Sequence, residues 1–286
     1  MKPSKYCPAT LAVALALSVL VQLAAAETSA LQPLAGILLS SEMRTNPPER
    51  LFVAQVDLTN PRLHLRVAPG GPAPDGAGQW ETTLLEPTKI AAREKFDLVI
   101  NGDFFAARGL HDAEGTNSHY HSAQWASAIG PAMTDGRTWS VSAEPRPCLV
   151  VHTNHAVSIE LLQQPAPGDW EVVSGNILLV RDGQIVTHTN LVRHPRTGVG
   201  LDASGHWLTL VVVDGRKPGI AAGMSYDELA AEMVRLGCRD ALNLDGGGSS
   251  VMALRDTTGT MQLLNQPTDG HERAVANVLG ISVDPH

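Results

Sequence analysis

Two aspartates and two arginines stand where chemistry needs them. Asp103 follows the apolar run of "DLVINGDFF", and Asp245 follows that of "ALNLDGGGSS". A carboxylate just past the end of a buried strand is within reach of a substrate. Paired carboxylates cleave glycosidic bonds as acid, base or nucleophile. Arg196 lies in "HPRTGVG", ahead of a run of small residues, and Arg273 precedes the last apolar run. A guanidinium holds phosphate through two parallel N–H bonds. The set suits a sugar joined to phosphate. Each aspartate also has a plain structural alternative, because an Asp at a strand end often caps a turn.

The three glycines after Asp245 strip side chains from the main chain, which suits close approach by another group. The stretch has no Lys-Ser/Thr at P-loop spacing and no GxGxxG, so nucleotide-binding loops of those kinds are excluded. His111, His119 and His121 fall in one segment with Asp112, and His-x-His can present two imidazoles on one side of an extended chain. A polar loop explains them equally well, and no metal is assigned. His194, two residues before Arg196, is a candidate phosphate contact. Trp80, Trp125 and Trp139 could stack on a sugar, although core packing explains each of them as well.

The elements that must carry these residues are mostly short strands. "RLFVAQVDL" (50–58) alternates apolar and polar positions, as does "LHLRVA" (63–68), and the two are expected to form a hairpin. A helix is expected over Thr82 to Lys95, interrupted or delayed by Pro87. "DLVI", "CLVV", "VSIEL", "ILLV", "WLTLVVVD", "DALNLD" and "AVANVLGISV" are strand-like. Residues 106–147 are rich in His, Gly, Ser and Pro and are expected as loops over a site. Ser225 and Glu228 make a capping-box pattern ahead of a helix through residue 238. The expected fold class is α+β, a single domain on a large mixed β-sheet with a few helices.

The chain has 286 residues, with 21 Lys+Arg against 29 Asp+Glu and a net charge of −8. No basic tract occurs, so nucleic acid is excluded as a partner. Lys2 and Lys5 precede an apolar run from Leu11 to Leu23 and then Ala24-Ala25-Ala26, the pattern of a secretory signal cleaved before Glu27. The run is short for a membrane span. The expected organisation is a signal peptide at 1–26, a polar lead-in at 27–49 and the functional domain at 50–286. The mature protein is then exported, periplasmic or extracellular, without stable membrane insertion. Cys148 and Cys238 remain after cleavage, either as a disulfide or as two buried thiols.

The stretches "NGDFF", "RTGVGLD", "DGR" with "GMSYDELAAEMVRLGC", "ALNLDGGGSS" and "RAVANVLGISV" resemble the phosphodiester glycosidase family, in the family's order from about Leu51 to Val283. The resemblance implies hydrolysis of a sugar-1-phosphodiester on its sugar side, with a sugar-phosphate or polysaccharide substrate. It implies Asp103, Asp245 and Arg196 as catalytic residues. It implies Asn101, Thr197, Asn243, Gly246, Gly247, Ser249 and Arg273, with His194, as substrate-binding residues, and no cofactor. Residues 109–131 depart from the segment of the family's mammalian member, which leaves sugar and aglycone open. Two other readings remain at this level. One is a non-catalytic carbohydrate-binding envelope module. The other is a metal-dependent phosphodiesterase using the His111, His119 and His121 cluster.

Overall fold

Both faces of "PERLFVAQVD" are apolar enough to be covered, and this decides where the strand lies. In the computed structural model, which describes residues 27–30, 34–109 and 120–284, it becomes the strand Pro48–Asp57. Leu51 and Val53 pack toward one helix, and Ala54 and Val56 toward the central core. A strand covered on both faces belongs inside a sheet. Pro48–Asp57 is accordingly third of eight strands, in the order Glu27–Ala30, Ile37–Thr45, Pro48–Asp57, Trp207–Val213, Arg196–Asp202, Cys238–Asn243, Ile177–Arg181, Gln184–Ile185.

This overturns the expected hairpin. Pro48–Asp57 pairs with Ile37–Thr45 and Trp207–Val213, while Leu63–Pro69 crosses to another sheet and pairs with Asn277–Val283. It also moves the start of the folded unit. Ile37–Thr45, assigned above to a lead-in, is an integral strand whose Ile37 and Leu39 are core residues. The signal segment lies outside the described residues.

Two further sheets have five strands each. One runs Arg137–Ser140, Ala132–Thr134, Asp169–Ser174, Arg146–His152, Val157–Leu162. The other runs Met261–Leu263, Met252–Arg255, Leu98–Asn101, Asn277–Val283, Leu63–Pro69. A small sheet joins Thr82–Thr83, Trp125–Ala128 and Phe105–Ala107. The described strands pair antiparallel. The three larger sheets meet in one core, to which Val56, Val199 and Leu210, then Leu149 and Val173, then Ile100 and Leu279 contribute. The fold is the expected α+β type, with one large sheet and two α-helices among the described residues.

The first helix is Pro87–Glu94, so Pro87 starts it instead of interrupting it, and Thr82–Thr83 is a strand. Proline suits the first helical turn, where its missing N–H costs nothing. Lys95 ends the helix in the left-handed region at φ 61°. The second, Tyr226–Arg235, carries the expected capping box. Glu228 N–H donates to the Ser225 hydroxyl at 3.2 Å, and Ser225 N–H donates to the Glu228 carboxylate at 2.9 Å. Leu229, Ala230 and Met233 bury against the eight-stranded sheet. Cys148 and Cys238 are buried free thiols on different sheets, which settles the disulfide question in favour of two thiols. No described helix is long and apolar enough to cross a membrane.

Because the Ser225 cap fixes the end of the helix that faces the site, Ser225→Ala should lower stability by about 1 kcal/mol. Urea denaturation read by circular dichroism checks this, with a shifted midpoint and an unchanged slope expected.

Candidate active site

Asn101 ends Leu98–Asn101 in one sheet, while Arg196 begins Arg196–Asp202 and Asn243 ends Cys238–Asn243 in another. The three segments converge. Asn101 Nδ2 donates to the Asp245 carbonyl at 2.7 Å, and its Oδ1 accepts from Thr197 Oγ1 at 2.7 Å and Val251 N–H at 3.1 Å. The main chain repeats the joints. Asp245 N–H donates to Gly102 O at 3.1 Å, Leu244 N–H to Thr197 O at 2.9 Å, and Gly247 N–H to Pro195 O at 2.9 Å. Asn101 and Thr197 are wholly buried in this knot. They lie beneath the site with their polar atoms engaged, so the substrate contact expected of them is corrected to a positioning role.

The glycine run has a specific steric reason. A β-carbon on Gly246 would sit 2.8 Å from the Pro195 carbonyl oxygen, next to Arg196. Gly247 has φ 63°, and its β-carbon would press the Arg216 guanidinium at 3.2 Å. A β-carbon on Gly248 would overlap the guanidinium of Arg273 and the carboxylate of Asp269. Bare backbone therefore lets arginines from distant segments lie around one turn, Gly247–Ser249.

Each arginine is held differently. Arg196 is 4% exposed, donates from Nε to Met224 O at 2.9 Å and from Nη2 to Val192 O at 3.1 Å, and stacks 3.9 Å above the Tyr226 ring. No described carboxylate forms an ion pair with it. Burial lowers its pKa, and Arg216 adds to that, while Tyr226 opposes it. Arg216 donates from Nε and Nη2 to His194 Nδ1 at 3.2 and 3.1 Å. That leaves the His194 proton on Nε2. Partial burial, then Arg216 and Arg196, lower the His194 pKa and favour the neutral ring. Arg273 pairs with Asp269 at 2.9 Å and lies 4.6 Å above the Tyr120 ring.

The two candidate carboxylates part company. Asp245 is partly exposed yet enclosed on most sides, as befits the floor of a recess. Burial pushes its pKa up to about 6, against the pull of Ser249, Gly246 N–H at 2.8 Å and Arg273. Asp103 is 1% exposed. Its oxygens accept from Ser174 N–H at 2.7 Å, from the Ser174 hydroxyl and from Asn277 Nδ2. Burial raises its pKa to about 7 despite these donors. With both oxygens engaged and no open face, Asp103 does not touch a substrate, and its catalytic assignment is corrected to a structural tie. Among the described residues, three buried side-chain polar atoms have no hydrogen-bond partner: Asn243 Oδ1, Ser249 Oγ and Ser250 Oγ. Ser249 lies near Asp245 without an ordinary hydrogen-bond geometry. Unpaired polar atoms so completely enclosed suit a bound water.

The family profile described as phosphodiester glycosidase matches residues 95–282. The chain belongs to the phosphodiester glycosidase family. Its fold resembles the catalytic domain of zebrafish N-acetylglucosamine-1-phosphodiester alpha-N-acetylglucosaminidase, auto-inhibited by its pro-peptide. The TM-score is 0.61 at 20% identity, over 91% of this chain and 88% of that one. A Burkholderia pseudomallei protein named for export gives 0.62 at 16% identity, over 82% and 74%. In sequence, 103 residues are 37% identical to the uncharacterized SPbeta prophage-derived protein YomE of Bacillus subtilis. They make up 36% of this chain and 15% of that protein, so the chain spans a small part of that relative.

Several residues of the candidate site carry no mark in the sequence of this family member. Arg216 stands in the short turn "DGR", and Tyr120 lies between His119 and His121. Tyr226 accepts at its hydroxyl from Asn176 Nδ2 at 2.9 Å, and Asn176 Oδ1 accepts from Asn243 Nδ2 at 2.8 Å. This chain of contacts links Asn243 to the support of Arg196. Nothing in residue type alone marks Asn176. Of the histidine cluster, His111 and His119 lie outside the described residues, and His121 Nδ1 bonds to Ser122 O at 3.0 Å. Trp139 donates to Thr134 at 3.0 Å, and Trp125 lies under Arg108 at 4.4 Å.

The glycine argument makes a sharp forecast. Gly248→Ala should displace Arg273 and lower kcat/KM at least tenfold, with a Tm change of only a few degrees. Steady-state kinetics and a melting curve on the same sample test it; unchanged turnover would remove Arg273 from the site.

Proposed function

We propose that this protein is an exported hydrolase that cleaves a sugar-1-phosphodiester on its sugar side. The single observation that carries the reading is the ring of Arg196, Arg216 and Arg273 around the Asp245 turn in a chain of net charge −8. An acidic protein repels a phosphodiester unless cations are concentrated locally. Arg196 lacks a carboxylate among the described residues, so its charge is available to an anion. Family membership supports a glycosidase acting on phosphodiesters. The pattern of the first 26 residues supports export.

In the reaction, water attacks the anomeric carbon, the C1–O bond breaks, and a phosphate monoester departs with the bond electrons. That leaving group needs charge neutralisation more than protonation, which the arginines provide. Asp245 is the carboxylate placed to stabilise the developing oxocarbenium centre or to activate the water. Neutral His194 offers its Nε2 proton as a hydrogen-bond donor to a phosphate oxygen. Gly246 and Gly247, partly exposed beside Asp245, are the substrate contacts, while Asn243 and Ser249, wholly buried, stand behind them as positioning residues like Asn101 and Thr197. Product identity tests the reading. UDP-N-acetylglucosamine or a simple sugar-phosphate diester should yield free sugar and phosphomonoester. Sugar phosphate as the product would point to P–O cleavage instead.

Asp245 must be ionised in either role. Its folded pKa, about 6, lies above the ordinary 3.8, so ionisation and activity are lost as pH falls through about 6. The acid limb of kcat/KM should therefore centre near pH 6. Asp245→Asn should lower kcat/KM by about 10²- to 10⁴-fold and abolish that limb.

Arg196→Ala should cost about 10²-fold or more in kcat/KM. Arg196→Lys should recover only part of it, because an ammonium cannot reproduce the fork that reaches Met224, Val192 and an anion together. Loss of activity far beyond any loss of Tm supports the role, and normal turnover in the Ala variant rejects it.

A further inference from the structure

A second concave site lies away from Asp245. It is a cavity of about 720 Å³ between the edge strand Leu63–Pro69 and the strands Arg146–His152 and Asp169–Ser174. That volume is in the range of about 300–1,000 Å³ typical of small-molecule sites. The register places it. Pro69 pairs with Asn277, which supports the active site, and His64 pairs with Ser282, which lines the cavity. At about 3.3 Å per residue, the His64 end of the cavity lies roughly 17 Å along the strand from the Asn277 end.

Its walls are pre-set. Trp170 lies 44% exposed at the cavity, far more than a core tryptophan would be. It is seated on main chain, since a β-carbon on Gly136 would come within 2.9 Å of its ring. Gly136 N–H also donates to Trp170 O at 2.8 Å. Arg66 is clamped by Asp135, its Nε lying 3.1 Å from both carboxylate oxygens. His152 is fixed between Asp169 at 3.1 Å and Ser158 at 2.8 Å. Glu171, 1% exposed, accepts from Val67 N–H at 2.8 Å and Asp135 N–H at 2.9 Å.

The strand edge is open at one place. Val67 turns its outward N–H to Glu171 and its outward C=O to Thr134 Oγ1 at 2.9 Å. Alternation along an antiparallel strand turns Leu65 the same way. Among the described residues no further partner is recorded for the Leu65 N–H and C=O, and Leu65 lines the cavity.

The geometry points to a second binding site for a neutral oligosaccharide, with Trp170 as stacking platform and the Leu65 edge, Asp135 and His155 as hydrogen-bonding partners. A flat aromatic face beside fixed planar polar groups fits a pyranose ring, which has an apolar face and a rim of hydroxyls. Arg66 is paired with both Asp135 and Glu94, so among the described residues no unpaired guanidinium or ammonium lines the cavity to call for a phosphate. The choice of sugar as ligand rests on the proposed glycosidase reading; the cavity and its walls do not. Such a site would hold a polymeric substrate while its phosphodiester end occupies the recess.

The test measures binding of cellohexaose, mannohexaose and chitohexaose to the full chain by tryptophan fluorescence and calorimetry. At least one hexasaccharide should bind, and Trp170→Ala should weaken it at least tenfold. Thr153→Trp, an exposed position at the cavity that leaves the core untouched, should block binding even if the Trp170 variant folds poorly. Asp245→Asn should retain it. Turnover of a small sugar-phosphate diester should be unchanged in Thr153→Trp. Binding that survives both cavity variants but fails in Asp245→Asn would move the sugar to the recess and overturn the proposal. So would the absence of binding by all three sugars at 10 mM, about the weak limit of useful carbohydrate affinity. Absent turnover with intact, Trp170-dependent binding would reject the hydrolase reading alone.

Discussion

The Asn101 side chain is the joint on which the site depends. A buried primary amide must find partners for its oxygen and nitrogen or cost about 1–3 kcal/mol per abandoned group. Asn101 finds them in three separate segments: Thr197 beside Arg196, Val251 beyond the glycine turn, and Asp245 itself. One side chain thus sets the end of the Leu98–Asn101 strand against the eight-stranded sheet. Aspartate could not donate to the Asp245 carbonyl, and leucine could do none of this. The same constraint fixes the Asp245 main chain within the recess before any ligand arrives.

Upon that joint the site concentrates positive charge at a steric and electrostatic cost. Three consecutive glycines give up conformational entropy to the folded state. In return, Arg216 and Arg273 lie against the turn and Arg196 next to it. Arg196 is desolvated, and its compensation comes from two carbonyls and a tyrosine face in place of a carboxylate. A stacked cation over a tyrosine gains about 1–2 kcal/mol when desolvated. It keeps its full charge, whereas a carboxylate partner would cancel it. Tyr226 is the first residue of the second helix, so the Ser225 cap, the helix and the Arg196 support form one mechanical unit.

The sequence revealed those parts in which chemistry and local rule coincide. The capping box could be named from Ser225 and Glu228 because it spans four residues. The run of glycines announced a close approach, though not by which groups, because Arg216 and Arg273 arrive from other segments. The hairpin between residues 50–58 and 63–68 was misjudged for a related reason. Alternation marks a strand but does not say which neighbour covers its second face. Here the helix Tyr226–Arg235 covers it, Trp207–Val213 takes the edge that a hairpin partner would have used, and residues 58–62 cross between sheets. Asp103 shows the limit most clearly. Its place at a strand end was correct, yet a strand end does not specify which way a side chain turns.

Asp103 turns inward, and the reason it is tolerated there is informative. Burial makes its ionised form unfavourable enough to raise the pKa to about 7, whereas recess-lining Asp245 rises only to about 6. An apolar residue of similar size would avoid that penalty. It would also leave the Ser174 N–H and the Asn277 amide unpaired within the core, and those belong to two different sheets. Asp103 itself follows the strand that carries Asn101. Its carboxylate therefore fastens the five-stranded sheet that carries Ser174 to the strand ends that Asn101 fastens to the eight-stranded sheet. The two polar knots lie two residues apart in sequence and face different sheets. Between them they fix all three sheets at one end of the core, and that end is where Asp245 and the arginines stand.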